Sequence, residues 1–273
     1  MPQQLTVLSQ SSLQDYHDCP RRFELRYLQR LAYPALEAES ALENEKRQQE
    51  GEYFHRLAQQ YLIGIPAEQV SKLANSDNLK RWWENFINDK NLAGLRDLSG
   101  LHAEITLSAP LGKFRLVAKY DLIAVDKDMV TIYDWKTYRK RPKNEWMNIR
   151  WQTRVYRALL ANAGAHLNNG KPFTPEQIEM TYWFADFPAE PARFAYISAQ
   201  FKRDWDALNK LADEIASASV FPLTDDAARC NYCPYRSYCN RGIRAGDAAD
   251  AELESEAEEL FDINFEQIGE IAF

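Results

Sequence analysis

The chain has 273 residues, 45% of them hydrophobic and 12% aromatic, a globular composition that excludes disorder of the whole chain. No apolar run approaches the roughly 20 residues of a membrane span, and the first residues lack the pattern of a signal peptide. We therefore expect a soluble, cytoplasmic protein with no membrane partner. The net charge is −7, but residues 247–273 hold ten acidic residues and no Lys or Arg, which leaves residues 1–246 at about +3. This division predicts one mildly basic domain over residues 1–246 and an acidic tail over residues 247–273.

Hydrophobic periodicity divides the chain into helical and strand segments. Helical spacing predicts helices within residues 11–31 (broken by Pro20), 43–63, 78–92, 146–163 and 199–218. Residues 101–136 alternate and are rich in β-formers, and turn-like breaks at 109–113 and 126–128 divide them into a three-stranded meander. Further strands are predicted at 178–185 and 192–197. This order predicts an α/β fold in which helices flank a mixed central sheet.

Two aspartates and a lysine fall on neighbouring strands of the meander. Asp134 and Lys136 are two residues apart, so they share one face of their strand. If the turn centres on residues 127–128, positions whose numbers sum to 255 form pairs. Asp121 then lies opposite Asp134, and the Cβ atoms of such pairs are roughly 4.5–5.5 Å apart. The sequence therefore predicts that two carboxylates and one lysine converge on one side of a hairpin.

This constellation has a specific chemistry available to it. Opposed carboxylates destabilise a sheet unless a cation lies between them, and carboxylate oxygens suit Mg²⁺ or Mn²⁺. Such an ion activates a bound water and stabilises charge on a phosphate, and the lysine can orient the water or stabilise the transition state. The alternative is an exposed ion pair on the hairpin surface. The apolar strand that precedes Asp134 and the register of Asp121 favour the metal site.

Further polar residues are expected near this constellation. Gln152 and Tyr156 are four residues apart on the helix that follows the hairpin, so they share a face. His55 is either a metal ligand or a packed helical residue, and Glu104 on the first strand either completes the acidic set or is exposed. A basic run between hairpin and helix either binds a phosphate backbone or forms a solvated loop; its members are Lys136, Arg139, Lys140, Arg141 and Lys143.

These residues resemble the RecB-type branch of the PD-(D/E)XK nucleases, which includes the AddB nuclease domain and the CRISPR-adaptation nucleases. The resemblance covers most of residues 9–242. Ala118 departs from it, because the family commonly has glycine three residues before the first aspartate. The matching elements are an imperfect S-x-S-x-L-x-x-Y-x-x-C-P opening that ends at Cys19–Pro20, Gly51-x-x-x-His55, Asp121, Asp134–Trp135–Lys136 and Gln152-x-x-x-Tyr156.

The resemblance implies a PD-(D/E)XK restriction-endonuclease-like core and a role for each matching residue. In such proteins the histidine and the two acidic residues bind metal, which assigns His55, Asp121 and Asp134 as ligands. The lysine is catalytic, which assigns that role to Lys136. The helix that carries Gln152 and Tyr156 is expected to support the site and the DNA.

Four cysteines form a second constellation. Cys230, Cys233 and Cys239 have the spacing C-x₂-C-x₅-C, and Cys19 lies more than 200 residues earlier. In a cytoplasmic protein these are metal ligands or thiols rather than disulfides. Zinc modules usually have two local pairs, whereas a one-plus-three division suits a group that joins the two ends of a domain. The resembling nucleases carry a [4Fe–4S] cluster with this division, so we expect that cluster, with zinc or unliganded thiols as alternatives.

The predicted function is Mg²⁺- or Mn²⁺-dependent hydrolysis of DNA phosphodiesters, at single strands or duplex ends, in DNA repair, recombination or defence. The chain has no G-x-x-x-x-G-K-[ST] loop, so a helicase or other repair partner would be a separate chain. Two alternatives remain: a scaffold of the same fold that binds nucleic acid without cutting, and a zinc-stabilised interaction module. The acidic tail is either solvated or a segment that mimics DNA or docks a partner.

Overall fold

A computed structural model describes residues 5–32 and 39–241. The helices are α1 (Gln10–Asp18), α2 (Pro20–Phe23), a π-helical turn (Glu24–Leu28), α3 (Glu39–Leu62), α4 (Ala67–Ser71), α5 (Asp77–Asn88), α6 (Asn144–Ile149), α7 (Trp151–Ala163) and α8 (Ser198–Ser217). The strands are β1 (Val7–Leu8), β2 (Gly100–Leu111), β3 (Phe114–Asp126), β4 (Met129–Lys136), β5 (Ile178–Phe184) and β6 (Ala192–Ala195). Short 3₁₀ turns lie at Leu95–Asp97, Gly164–Asn168, Pro175–Gln177 and Ala227–Tyr232. No described helix is long and apolar enough to cross a membrane. The predicted acidic tail lies outside the described residues.

The strands form one mixed sheet. Strand β3 pairs antiparallel with β2 and β4, β5 pairs antiparallel with β6, and the β1–β3 and β4–β5 pairs are parallel. The predicted meander is confirmed. Its second hairpin pairs Leu122 with Tyr133 and Val125 with Val130, in the predicted register. The ladder ends at Leu122 and Tyr133, however, so the predicted pairing of Asp121 with Asp134 does not form.

Helices cover both faces of the sheet and divide the interior into two cores. On one face α1, α2, α7 and α8 contribute side chains such as Phe23 and Leu159 to the first core. On the other face α3, α4 and α5 enclose the second core. Aromatic side chains bury large apolar areas, and they dominate this second core: Phe54, Trp82, Trp83, Phe86, Trp135 and Trp183. The fold is therefore α/β with a mixed central sheet between helical layers, as predicted.

The region predicted as one helix over 146–163 is two helices. Arg150 has φ −62° and ψ 146°, an extended conformation that ends α6 at Ile149 and starts α7 at Trp151. The break exposes a new helix N-terminus, whose first N–H groups need external acceptors. It also places Gln152 in the first turn of α7, next to the sheet.

Strand β3 carries an interruption along one of its edges. Strand β2 follows the other edge over almost the full length of β3. Strand β1 pairs with β3 only at Arg115 and Leu116, and β4 pairs with it only over residues 122–126. Residues 117–120 thus have β2 as their one ladder partner among the described strands. Asp121 stands at the end of this gap.

At one pair of opposed residues, the side chains of β2 and β3 switch from one face of the sheet to the other. Along β3, Leu116, Ala118 and Tyr120 pack in the first core, but Leu122 packs in the second. Regular alternation would keep all four on one face. On β2, Ile105 packs against the first core, whereas Ala103 and Leu101 pack against the second. The change falls at Asp121 on β3 and at Glu104 on β2.

Candidate active site

Asp121 lies where β3 and β4 separate. The β3–β4 ladder ends at Leu122 and Tyr133, while β4 stays paired with β5 as far as Lys136. The backbone N–H of Trp135 donates to Asp121 Oδ2 at 2.7 Å. This side-chain hydrogen bond replaces the backbone hydrogen bond that a continued β3–β4 ladder would make. It fixes the carboxylate in the fork where the two strands diverge.

Helix α3 brings His55 to this carboxylate, with Nδ1 3.1 Å from Asp121 Oδ1. The approach depends on Gly51, one turn earlier, because a Cβ there would lie 2.8 Å from Thr137 Oγ1. Arg47, a further turn back, donates from Nε to the Thr137 carbonyl at 3.0 Å. The Gly51-x-x-x-His55 pattern is therefore explained by close packing of α3 on the end of β4.

Substituting Gly51 with Ala tests this packing. Alanine favours the helix by about 1 kcal/mol, but overpacking against Thr137 costs about 1–3 kcal/mol and moves His55 away from Asp121. We expect the free energy of unfolding, measured in urea, to fall by up to about 2 kcal/mol.

The double variant Gly51→Ala/Thr137→Ala removes the clashing Oγ1 and should recover most of the lost stability. Gly94→Ala is the matched control, because nothing lies within 4 Å of a Cβ at Gly94. A double variant as unstable as Gly51→Ala would show that the contact with Thr137 is not the reason for the glycine.

Glu104 lies opposite Asp121 in the β2–β3 register, between rows that pair regularly. Its φ is +54°, a left-handed conformation that costs a non-glycine residue roughly 1–2 kcal/mol. Strain of this kind is concentrated at functional sites. Ligand atoms of His55, Glu104 and Asp121 lie within 4.8 Å of one another. These three residues form a possible metal site.

The electrostatics of this group are those of crowded carboxylates. Burial raises the pKa of Glu104, and the charge of Asp121 raises it further, against the opposing effect of an ion pair with Lys119. For Asp121, burial favours the neutral form, but His55, a backbone N–H and Lys136 outweigh burial and hold the pKa below its usual value. Asp121 is thus ionised at neutral pH, and a cation bound beside it would relieve its repulsion with Glu104. The donor set of one imidazole and hard carboxylate oxygens fits a divalent ion.

Asp134, Lys136 and Gln152 form a second, adjoining polar group. Lys136 Nζ lies 2.7 Å from Asp134 Oδ1 and 3.1 Å from Gln152 Oε1. Gln152 Nε2 donates to Asp134 Oδ2 at 3.0 Å. Asp134 and Lys136 are only 3% and 8% exposed, so solvent screens their interaction weakly. Asp134 does not belong to the three-residue group of His55, Glu104 and Asp121. The two groups are adjacent, because Trp135, whose N–H bonds Asp121, lies between Asp134 and Lys136 in the chain.

Three buried tyrosines hydrogen-bond to Gln152 or to its helix. Of these, Tyr156 was predicted from the sequence, whereas Tyr120 and Tyr182 were not. Tyr182 on β5 donates to Gln152 Oε1 at 3.3 Å, and its hydroxyl is 2.8 Å from Thr153 Oγ1. Tyr120 donates to the carbonyl of Tyr156 at 2.9 Å. Burial, followed by the charges of Asp134 and Asp121, raises the pKa of Tyr156 well above its usual value. The phenols therefore stay neutral and act as hydrogen-bonding supports.

The residues of the predicted basic run differ in their exposure and in their hydrogen bonds. Arg141 is held in the fold: its Nε donates to the carbonyl of Glu190 at 2.7 Å and its Nη2 to Asn144 Oδ1 at 2.8 Å. Arg139 is half-buried, whereas Lys140 is exposed. Arg141 thus stabilises the conformation of the loop. A phosphate backbone would have to contact the exposed residues of this loop, such as Lys140.

The cysteines lie where the two ends of the described chain meet. Cys19 is buried between α1 and α2, and the other three are half-buried after α8. Burial raises the pKa of the Cys233 thiol, and the neighbouring Cys19 and Cys239 contribute to the rise. Burial also raises the pKa of Cys239, again with contributions from Cys19 and Cys230. Cys19 thus acts electrostatically on Cys233 and Cys239 across the fold, but among the described residues no three of the cysteines bring their Sγ atoms within 4.8 Å of one another.

Comparison with known proteins assigns the family. The family model of the PD-(D/E)XK nuclease superfamily matches residues 7–240, and the chain belongs to that superfamily. Among curated protein sequences, none matches the chain significantly.

Solved structures resemble the chain at low sequence identity. One is the crystal structure of SSO0001, with 14% identity, 88% of this chain and 89% of that chain covered, and a TM-score of 0.42. Another is described as a "Putative exonuclease" from Eubacterium rectale, with 12% identity, 77% and 80% of the two chains covered, and a TM-score of 0.47. The family assignment rests on the sequence match.

Proposed function

We propose that the protein is a metal-dependent deoxyribonuclease of the RecB type, which hydrolyses phosphodiesters of single strands or duplex ends. The observation that carries the proposal is the convergence of His55, Glu104 and Asp121 within 4.8 Å, beside the buried Asp134–Lys136 pair. Membership of the PD-(D/E)XK nuclease superfamily supports hydrolysis of nucleic acid as the reaction.

His55, Asp121 and Asp134 would hold the divalent ion, with Glu104 as an additional carboxylate. Mg²⁺ or Mn²⁺ at such a site lowers the pKa of water and stabilises charge on the phosphate. The protein's own contribution is rigidity: the Trp135 N–H fixes one oxygen of Asp121 and His55 faces the other.

Lys136 would orient the attacking water and stabilise negative charge on the phosphate. Its ammonium is held between Asp134 and Gln152, and it lies 5.4 Å from the centre of the Tyr182 ring. A charge fixed in a weakly screened environment needs little reorganisation during the reaction. Gln152 contacts both members of the ion pair, and Tyr156 lies within 3.4 Å of its amide nitrogen.

The substrate would lie across the outer side of the basic run. Arg139, Lys140 and Arg141 are proposed to bind or shape the binding path for the phosphate backbone. Arg141 would act by holding the loop, since its guanidinium already bonds Glu190 and Asn144.

Labelled DNA tests the proposed reaction and its substrate. Single- and double-stranded DNA with 5′ or 3′ labels is incubated with the purified chain in Mg²⁺, Mn²⁺ or EDTA. We expect cleavage in the presence of metal, with single strands or duplex ends preferred. Binding of DNA without cleavage in any metal would instead support the scaffold alternative.

We also propose that Cys19, Cys230, Cys233 and Cys239 hold a [4Fe–4S] cluster that joins the chain ends. The support is the electrostatic influence of Cys19, from the N-terminal segment, on the Cys233 and Cys239 thiols, together with the RecB-type pattern. Such ligation contributes folding energy. Anaerobically purified protein should contain about four iron atoms per chain; one zinc per chain would support the zinc alternative, and neither metal would indicate unliganded thiols.

A further inference from the structure

Gln14, outside the proposed active site, connects α1 to the start of α7. Arg150, which precedes α7, makes no side-chain cap, so the first N–H groups of this helix need other acceptors. Gln14 Oε1 accepts from the Trp151 N–H at 3.2 Å. Gln14 Nε2 donates to Asp18 Oδ1 at 2.9 Å. One amide thus caps α7 from a different helix.

The orientation of this amide is determined by its two partners. A backbone N–H only donates, and an ionised carboxylate only accepts, so the Gln14 oxygen must face Trp151 and the nitrogen must face Asp18. The Asp18 side chain is fully buried, with Arg22 Nη2 3.1 Å from its Oδ2. Arg229, next to Cys230, ion-pairs with the same Asp18 oxygen that holds Gln14. The anchor of Gln14 is therefore fixed where the N- and C-terminal segments meet.

The residue after Trp151 is Gln152, which holds Asp134 and Lys136. We infer that Gln14 is a positioning residue for the cleavage reaction: by capping α7 it sets the orientation of Gln152 and, through it, of the Asp134–Lys136 pair. This inference rests on the proposed function. In the described part of the chain, the side-chain hydrogen bonds of Gln14 go to Asp18 and Trp151, not to the residues proposed to meet the phosphate.

Two substitutions separate the two hydrogen bonds of Gln14. Gln14→Lys can still pair with Asp18, but it loses the acceptor for Trp151 and places a positive charge at a helix N-terminus, where it is unfavourable. Gln14→Glu keeps the acceptor and replaces the donor to Asp18 with a second carboxylate, whose repulsion the adjacent Arg22 and Arg229 guanidinium groups offset. We expect kcat to fall about tenfold in Gln14→Lys with KM unchanged, and to stay within about threefold of wild type in Gln14→Glu. Gln69→Lys, at an exposed position of α4, is the matched control.

A double-mutant cycle with Gln152→Ala distinguishes positioning from general support of the fold. If Gln14 acts through Gln152, Gln14→Lys should cause no further loss of kcat when Gln152 is already alanine. The same tenfold loss in both backgrounds would overturn the inference, as would unchanged kcat in Gln14→Lys.

NMR tests whether Gln14 positions Gln152, independently of activity. The side-chain amide signals of Gln152, assigned by their disappearance in Gln152→Ala, should shift in Gln14→Lys and not in Gln69→Lys. Unshifted signals would overturn the inference even in an active enzyme. If the wild-type chain cleaves no DNA, the proposed function fails, while the Gln152 signals still report whether Gln14 positions α7.

Discussion

Asp121→Asn is expected to abolish metal-dependent cleavage while leaving the fold intact. The substitution keeps an oxygen that can accept from the Trp135 N–H, so the fork between β3 and β4 is preserved. It removes the negative charge at the centre of the group formed with His55 and Glu104. Loss of a ligand that places the metal should cost about 4 kcal/mol of transition-state stabilisation, a rate reduction of about 10³-fold.

The comparison is with Asp126→Asn, the same change on an exposed residue of the same strand. That variant should cleave DNA at the wild-type rate. Both variants are compared by single-turnover cleavage in Mn²⁺ and by thermal unfolding. An Asp121→Asn protein that is folded and cuts DNA at the wild-type rate would favour the scaffold alternative and exclude Asp121 as an essential ligand.

Lys136→Met is expected to reduce both activity and stability. Loss of the ammonium removes a fixed charge beside the phosphate, with an expected rate reduction of about 10²–10³-fold. It also leaves Asp134, whose side chain is 4% exposed, as a buried charge without its cation. Removing one partner of a buried pair costs about 3–5 kcal/mol, measurable by urea unfolding in EDTA.

The double variant Lys136→Met/Asp134→Asn separates these two effects. Neutralising Asp134 removes the buried charge, so the double variant should be more stable than Lys136→Met. It should remain inactive, because both the proposed ligand and the ammonium are gone. A double variant as unstable as Lys136→Met would mean that the uncompensated charge of Asp134 is not the cause of the instability, and recovery of cleavage would contradict the role of Lys136.

The hairpin that carries Asp121 and Asp134 was predictable because its determinants are local. Polar turn residues at 127–128 separate two runs of β-formers, and a short turn sets the register of the strands it joins. The spacing of Asp134 and Lys136 needs only the alternation of side chains along a strand. Their 2.7 Å contact agrees with that expectation.

The position of Glu104 beside Asp121 could not be predicted in the same way. Helices cover both faces of the sheet, so side chains on either face are apolar. Tyr120 and Leu122 are two residues apart and both apolar, and their spacing suggests that they share a face. In the structure they pack in different cores, since the strands change faces at this row. The left-handed backbone of Glu104 leaves no mark in the hydrophobic pattern of a two-sided sheet.

The contacts that Tyr182 on β5 and Gln14 on α1 make with α7 also could not be predicted from sequence patterns. Tyr182 reaches Gln152 because β5 lies parallel to β4 after a crossover of more than 40 residues. Parallel pairing of this kind has no local turn signal. Gln14 reaches Trp151 across 137 positions of the chain, a contact that depends on the packing of two helices.

The rate of single-turnover DNA cleavage by the wild-type chain, measured as Mn²⁺ is titrated into metal-free protein, tests the central claim most directly. We expect the rate to rise from the EDTA background and saturate as the group of His55, Glu104 and Asp121, with Asp134 beside it, fills with metal. Cleavage that proceeds equally well in EDTA, or DNA binding with no cleavage at any Mn²⁺ concentration, would contradict a metal-dependent nuclease site.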